Sequence, residues 1–364
     1  MQKRVQNTIG PWRTGKFMPI SQSPWSINSY ALSKVWYKCN CIDLRVADIS
    51  SITSKVKTWL YSDQFDKPEE LILYRPHTQG GLGMHNVKFK AQAMLTRSFL
   101  ETAINPKFLH NLYHTSLYKY HVLLERDHRD PGLPPYYSTQ FFETIRHVHE
   151  SSPLNVATMS SSQWYSLLVE DNITMFTPEA ASTRQFRPSR AELAWPENDW
   201  GNTWRLAKLR GLGSEVKTFL WKLLHNLLPT QERVNRITKT ENSSPLCKLC
   251  HEQLVEDQLH AFFLCQANST ASRALITTIT YLLPNLTTRK ILLLDFVLDE
   301  TKEFPAVWIV GNFLQLVWSL RIEKRQVRLY SIRAEMEARA SLLRETRFKE
   351  HFEMIENLLK TYFI

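Results

Sequence analysis

"SEVKTFLWKLLHNLLP", Ser214 to Pro229, carries apolar side chains at Val216, Phe219, Leu220, Leu223 and Leu227. That three-and-four spacing lines them along one face of a helix. Ser214 is placed to act as N-cap, and Pro229, which has no amide proton and a fixed φ, ends the pattern. The same period recurs on both sides. After Ile49 it runs through Ile52, Val56, Trp59 and Leu60, and "QWYSLLVED" from Gln163 repeats it. Glycine is scarce, with 10 in 364 residues, so few points break these runs. The expectation is a mainly α, elongated, multi-segment helical protein.

Downstream of this stretch lies "SPLCKLCHEQLVEDQLHAFFLCQA", Ser244 to Ala267, which holds three of the chain's five cysteines. Cys247 and Cys250 are two residues apart, His260 follows after nine more, and Cys265 after a further four. Four such ligands can close on one tetrahedral zinc ion, so Cys247, Cys250, His260 and Cys265 form the expected set. His251 competes with His260, but directly beside Cys250 it would make a cramped chelate. His260 and Cys265, five apart near helical spacing, can aim at one point, with Leu259, Phe262 and Phe263 covering the site. The run "CKLCH" also matches the c-type haem attachment pattern. Haem attachment belongs in an oxidising compartment and would leave His260 and Cys265 without a role. A catalytic zinc would need an open position. No His-x-Glu precedes the pair, and Leu246 separates Pro245 from Cys247, so the deaminase pattern is also missing. The zinc is therefore expected to be structural, holding together a small helical module.

The formal charge is +10, with 43% hydrophobic and 12% aromatic residues, which describes a folded basic protein rather than a disordered tail. A polyanionic partner is favoured electrostatically. "MQKRVQNTIGPWRTGKF" at the N-terminus lacks the apolar core of a signal peptide. "AVWIVGNFLQLVWSL", Ala306 to Leu320, is interrupted by Asn312 and Gln315 and is too short to span a bilayer, so it reads as a buried helix. The expected location is intracellular, in the nucleus or a cytoplasmic ribonucleoprotein, without a membrane partner or a small-molecule substrate. Cys39 and Cys41 read as packing residues.

Two stretches break the helical period: "RDHRDPGLPPYYS" around Pro131 to Pro135, and the Pro-, Ser- and Arg-rich run Phe176 to Asp199. They divide the chain into 1–130, a connector and linker over 131–199, the zinc module over 200–270, and basic amphipathic helices over 271–364. The glycines of "QGGLGMHNVKFKAQAML" lack the lysine and hydroxyl of a phosphate loop and the strand of a dinucleotide site. They predict a tight turn into a helix capped by Asn86. Near the C-terminus, Arg321, Lys324, Arg325 and Arg328 share three-and-four spacing and are expected on one helical face, where they could line a phosphate backbone. The other reading is a solvated face paired with Glu323, Glu335 and Glu337.

Several of these segments, in this order, resemble reverse transcriptases of non-LTR (LINE-type) retrotransposons. "LSKVWYKCNCIDL", "ISSITSKVKTWLYSD" and "YRPHTQGGLGMHNVKFKAQAM" are similar to the region after the polymerase core. "EVKTFLWKLLHNLLPTQERVNRI" followed by "SPLCKLCHEQLVEDQLHAFFLC" looks like the family's C-terminal zinc-binding module. The resemblance implies that 1–130 is thumb-like and that the polymerase core lies upstream, lost from this chain or encoded elsewhere as a partner polymerase chain. Glu256 falls where the module carries an acidic residue, although it reads equally well as a solvated helix-capping charge. Polymerases of this family hold two metals with aspartates, two of them adjacent, and no Asp-Asp pair occurs here. The expectation is therefore a non-enzymatic portion that binds zinc and RNA or single-stranded DNA. A retained protein-interaction scaffold with a purely structural zinc is the alternative.

Overall fold

The computed structural model describes residues 26–40, 44–61, 70–104, 159–175, 197–238, 243–250, 252–284, 286–297 and 299–363. The described residues are mainly helical, and their only β pairing is an isolated bridge between Leu246 and Val255. Among them no helix is long and apolar enough to cross a membrane. The chain divides into two compact units: Met1–Asp63 with Gly83–Arg187, and Gln64–Leu82 with Pro188–Ile364. The stretch 1–130 is thus shared between both. The break around Pro131 and most of the Phe176 to Asp199 run lie outside the described residues.

In the first unit, a π-helical turn at Ile27–Ala31 leads into α1 (Ser33–Cys39), followed by α2 (Val46–Tyr61). The stripe expected on α2 is buried at Ile52, Val56 and Leu60; the Trp59 side chain lies outside the described residues. Cys39 is buried as a packing residue, and Cys41 lies outside the described residues. The second unit takes up the chain with α3 (Glu70–Tyr74) and a 3₁₀ turn at His77–Gln79. The first unit resumes with α4 (Val87–Ile104) and adds α5 (Ser161–Met175). Asn86 caps α4 as expected, its Oδ1 accepting the Lys88 and Phe89 amides. Reciprocal bonds between Ser160 and Gln163 form a capping box at the start of α5. These two helices pack through Ala93, Met159, Trp164 and Leu168, all buried, with Phe89, Tyr165 and Leu167 at the margin.

The second unit continues with α6 (Trp200–Leu206), α7 (Ser214–Leu224) and α8 (Gln231–Thr238). After the cysteine-rich segment come α9 (Ser269–Leu282), α10 (Thr288–Leu293), α11 (Glu300–Ile322), α12 (Leu329–Ser341) and α13 (Lys349–Tyr362). The stretch 271–364, expected to be amphipathic helices, thus holds most of α9 and all of α10 to α13. On α7 the stripe Val216, Phe219, Leu220 and Leu223 is buried as expected. The ends differ: Gly213 holds the N-cap position, Ser214 is the first helical residue, and the helix stops at Leu224 with Asn226 at φ 53°, before Pro229 can act.

The apolar run at Ala306 to Leu320 is the middle of α11, which is packed by α7, α9, α12 and α13. Surrounded helices need no polar face, which is why this run lacks one. Its polar interruptions are met from α12: Arg339 donates to Asn312 Oδ1 at 3.1 Å and to Gln315 Oε1 at 2.8 Å. Gly311 lets α7 approach closely, since a Cβ there would come within 2.8 Å of Val216. The Gly80 turn is a left-handed turn at φ 76°, as the sequence predicts. Its carbonyl accepts the Trp221 indole N–H at 2.8 Å and lies 2.8 Å from His225 Nε2. Lys208 donates to the His77 and Gly81 carbonyls, and burial pushes its ammonium down to about 8. The glycine turn is thus filled by the protein's own donors.

Candidate metal centre

The site begins with a tight loop closed on itself. Around the Leu246–Val255 bridge, the Cys247 amide donates to the Leu254 carbonyl and the Glu256 amide to the Pro245 carbonyl, both at 2.9 Å. Gln253 turns the chain with φ 51°. Inside the loop the Leu249 amide donates to Cys247 Sγ at 3.4 Å. An amide aimed at sulfur stabilises thiolate over thiol.

The other two donors come from a short helical segment. Asp257 Oδ1 accepts the His260 amide at 2.6 Å and starts it. His260–Leu264 then forms a π-helical turn, closed by the Cys265 amide donating to the His260 carbonyl at 2.9 Å. In an α-helix, residues five apart diverge by well over a quarter turn. The wider π turn brings them closer to one side, so His260 and Cys265 converge. Leaving the helix in extended conformation at Cys265 completes the convergence. The segment's carbonyls are satisfied from within: Asn268 donates to Ala261 O and Ser272 to Phe262 O, both at 2.6 Å.

The Cys247, Cys250, His260 and Cys265 donor atoms all lie within 4.8 Å of one another, and all four residues are buried. Cys247 and Cys265 Sγ are 3.8 Å apart, and Cys250 Sγ is 3.4 Å from His260 Nε2. With Zn–S of ~2.3 Å and Zn–N of ~2.0 Å, a tetrahedral site places two thiolates about 3.8 Å apart and a thiolate and imidazole about 3.5 Å apart. These two edges fit, whereas 3.8 Å is far from the ~2.05 Å of a disulfide. The donors therefore suit zinc, which would gain four protein ligands, supply folding energy and keep no open position for water. His251 lies outside the described residues.

Burial pushes the Cys247 thiol up to about 11, against hydrogen bonds from Leu249 and Arg321. Burial also lowers His260, with the nearby Arg321 charge acting in the same direction, so its imidazole is neutral and ready to ligate at neutral pH. Metal uptake must therefore release thiol protons.

The module is tied into the helices around it. Phe262 is fully buried, with ring centroids 6.1 Å from Phe219 of α7 and 5.9 Å from Trp318 of α11. Phe263 is buried and Leu259 half-buried, while the partly buried apolar residues packed against the three cysteines are Leu249 and Ala267. Gln258 Nε2 donates to the Leu223 carbonyl at 3.0 Å and so ties the module to the end of α7.

Glu256 is not a solvated charge. Its side chain is buried, with Oε1 accepting the Gln231 amide at the start of α8 and Oε2 accepting Arg321 at 2.7 Å. The expected basic stripe is likewise corrected. α11 ends at Ile322, Lys324 takes φ 55°, and α12 begins only at Leu329, so Arg321, Lys324, Arg325 and Arg328 share no helical face. Arg321 points inward, with a side chain only 3% exposed. Lys324, Arg325 and Arg328 are exposed on the intervening turn; Arg325 pairs with Glu323, and Arg328 donates to the Tyr330 hydroxyl. Glu335 and Glu337 pair with Arg339 and Arg333 instead. Sequence reasoning missed Arg321 and Glu256 as partners because 65 residues separate them.

Residues 185–271 match the family described as zinc-binding in reverse transcriptase. The segment contains all four donors, and the match supports a reverse-transcriptase type zinc-binding module in this part of the chain. A search of curated proteins found no significant match.

Proposed function

We propose that the chain is the zinc-binding, nucleic-acid-binding accessory portion of a LINE-type retrotransposon reverse transcriptase, carrying no polymerase active site of its own. The observation that supports this best is the closed Cys247–Cys250–His260–Cys265 cluster within a segment that matches reverse-transcriptase zinc-binding. A closed set assigns the metal to architecture, and the absence of any Asp-Asp pair leaves two-metal phosphoryl transfer without its usual clamp. The net charge of +10 favours RNA or single-stranded DNA as partner. Lys324, Arg325 and Arg328, exposed on the turn before α12, are the basic residues of the original stripe that remain able to meet phosphate.

The test is binding of unrelated single-stranded RNAs and DNAs across a salt series. Counterion release makes phosphate binding fall linearly on a log–log plot, by about 0.7 per contact on single strands. Replacing Lys324, Arg325 and Arg328 with Gln should weaken all sequences alike and flatten the slope by up to about two units. Primer extension with magnesium or manganese should be absent. Wild-type chain that binds no nucleic acid at low salt would remove this reading and leave a protein-interaction scaffold. Template-directed extension would overturn the non-catalytic assignment.

A further inference from the structure

We infer that Arg321, at the C-terminal end of α11 and outside the segment matched as a zinc module, is the positioning residue of the zinc centre, donating to the Cys247 sulfur while held by Glu256. The inference rests on the zinc reading above.

Arg321 Nη2 lies 3.4 Å from Cys247 Sγ and 2.7 Å from Glu256 Oε2. Both charged side chains are buried, at 3% and 7% exposure. A buried ion pair is weak evidence of net stability, because desolvating both charges costs about as much as their attraction returns. What distinguishes this pair is its third member. Three thiolates and a neutral imidazole around a divalent ion leave one net negative charge. A buried carboxylate beside such a cluster would repel it unless a cation lay between them. Arg321 occupies that place and can donate to both anions, which a compact ammonium serves less well.

Glu256 in turn is fixed by the Gln231 amide at the start of α8, where the helix dipole favours a negative charge. The chain of contacts runs from α8 through Glu256 and Arg321 to the cysteine. Arg321 has a firm seat of its own. The Lys324 amide donates to its carbonyl at 3.0 Å and the Arg325 amide to the Leu320 carbonyl at 2.9 Å, a Schellman closure of α11. The module defined by its ligand spacing is thus incomplete without a helix that ends 57 residues after Cys265.

Outer partners of metal ligands tune affinity and ligand electronics. Removing this one should make zinc transfer to a competing chelator on the order of 10- to 100-fold easier. An N–H donor also stabilises the sulfur lone pairs, so losing it should move the sulfur-to-metal charge-transfer band of the cobalt-substituted full chain to longer wavelength. A purely architectural role would leave that band in place.

The experiment compares wild type with Arg321→Gln, Arg321→Lys and Glu256→Gln, loaded with cobalt for the spectrum and zinc for the competition. Arg321→Gln should shift the band and release zinc faster. Arg321→Lys, which keeps the charge and safeguards the test if the Gln variant does not fold, should shift it less and release zinc at an intermediate rate. Glu256→Gln should leave the band near its wild-type position while loosening zinc, since the sulfur keeps its donor. Bands coincident with wild type and zinc transfer within twofold in the folded Arg321 variants would overturn the assignment. A wild-type chain that takes up neither cobalt nor zinc would instead overturn the zinc reading beneath it.

Discussion

The α4–α5 pair of the first unit and the cysteine loop of the second solve the same problem by different means. Trp164, Leu168, Ala93 and Met159 interlock as a buried, predominantly apolar cluster, and their helices carry ordinary caps at Asn86 and Ser160. Residues 244–257 have no comparable run of apolar side chains, and the buried Phe262 that follows them packs toward α7 and α11. Leu254, Val255 and Leu264 are exposed, and the buried centre of the loop is Cys247, Cys250 and Cys265. A helix pair can bury a continuous stripe, whereas a short loop cannot, so a metal replaces the missing apolar surface. The contrast teaches which perturbation each region should answer to.

Metal removal breaks the comparison most sharply. A structural zinc adds ~10 to 16 kcal/mol of apparent binding free energy at neutral pH, and that becomes folding energy where the unfolded chain has no site. Chelation should therefore open the amides of 245–268 to hydrogen exchange and release the contact of Gln258 with the end of α7. The amides of α4 and α5 should keep their protection. Cys250→Ser and His260→Ala should each reproduce the local loss and bind less than one zinc per chain. Protection that survives in 245–268 after complete zinc removal would show that the loop folds on apolar contacts alone.

Trp164→Ala is the reciprocal perturbation, and its effect should be smaller. The side chain is fully buried, so truncation removes its transfer energy and leaves a cavity, at about 3 to 5 kcal/mol. The first unit should melt earlier, while zinc stoichiometry and the protection of 245–268 remain unchanged. A Trp164→Ala chain that also lost its zinc would mean that the two regions are not energetically separate.

What the sequence disclosed follows from how local each determinant is. The stripes on α2 and α7, the Asn86 cap and the glycine turn are set by neighbours within a few residues, and the converging donors by residue type and spacing within one short stretch, at most 18 residues apart, which periodicity and spacing report well. The capping box at Ser160 and Gln163 was also written locally, in the Ser-x-x-Gln spacing, and could have been read. The burial of Glu256 and Arg321 depends on their finding each other across 65 residues. Charge and spacing alone made both look solvated. The basic stripe failed for a related reason: three-and-four spacing identifies a face only if the helix continues, and no glycine or proline follows Ile322 to announce its end.

That helix end offers the smallest effect and a test whose sign decides the matter. Lys324 sits at φ 55°, the left-handed position after the α11 cap, where a Cβ crowds the following carbonyl by ~1 to 2 kcal/mol. Glycine removes that strain but loses ~0.4 to 1 kcal/mol through the added freedom of the unfolded chain. Lys324→Gly should therefore be more stable than Lys324→Ala by about 0.5 to 1 kcal/mol, read from denaturation midpoints. Both variants lack the charge, so their difference reports backbone alone. If α11 instead continued through this position, glycine would be the worse residue by about 1 kcal/mol, as in any helix interior. That reversal would restore a shared face to Lys324, Arg325 and Arg328. It would also remove the closure that seats Arg321 against the cysteine loop. A gain for glycine keeps the helix end, the exposed basic turn and the inward-facing Arg321 as parts of one arrangement.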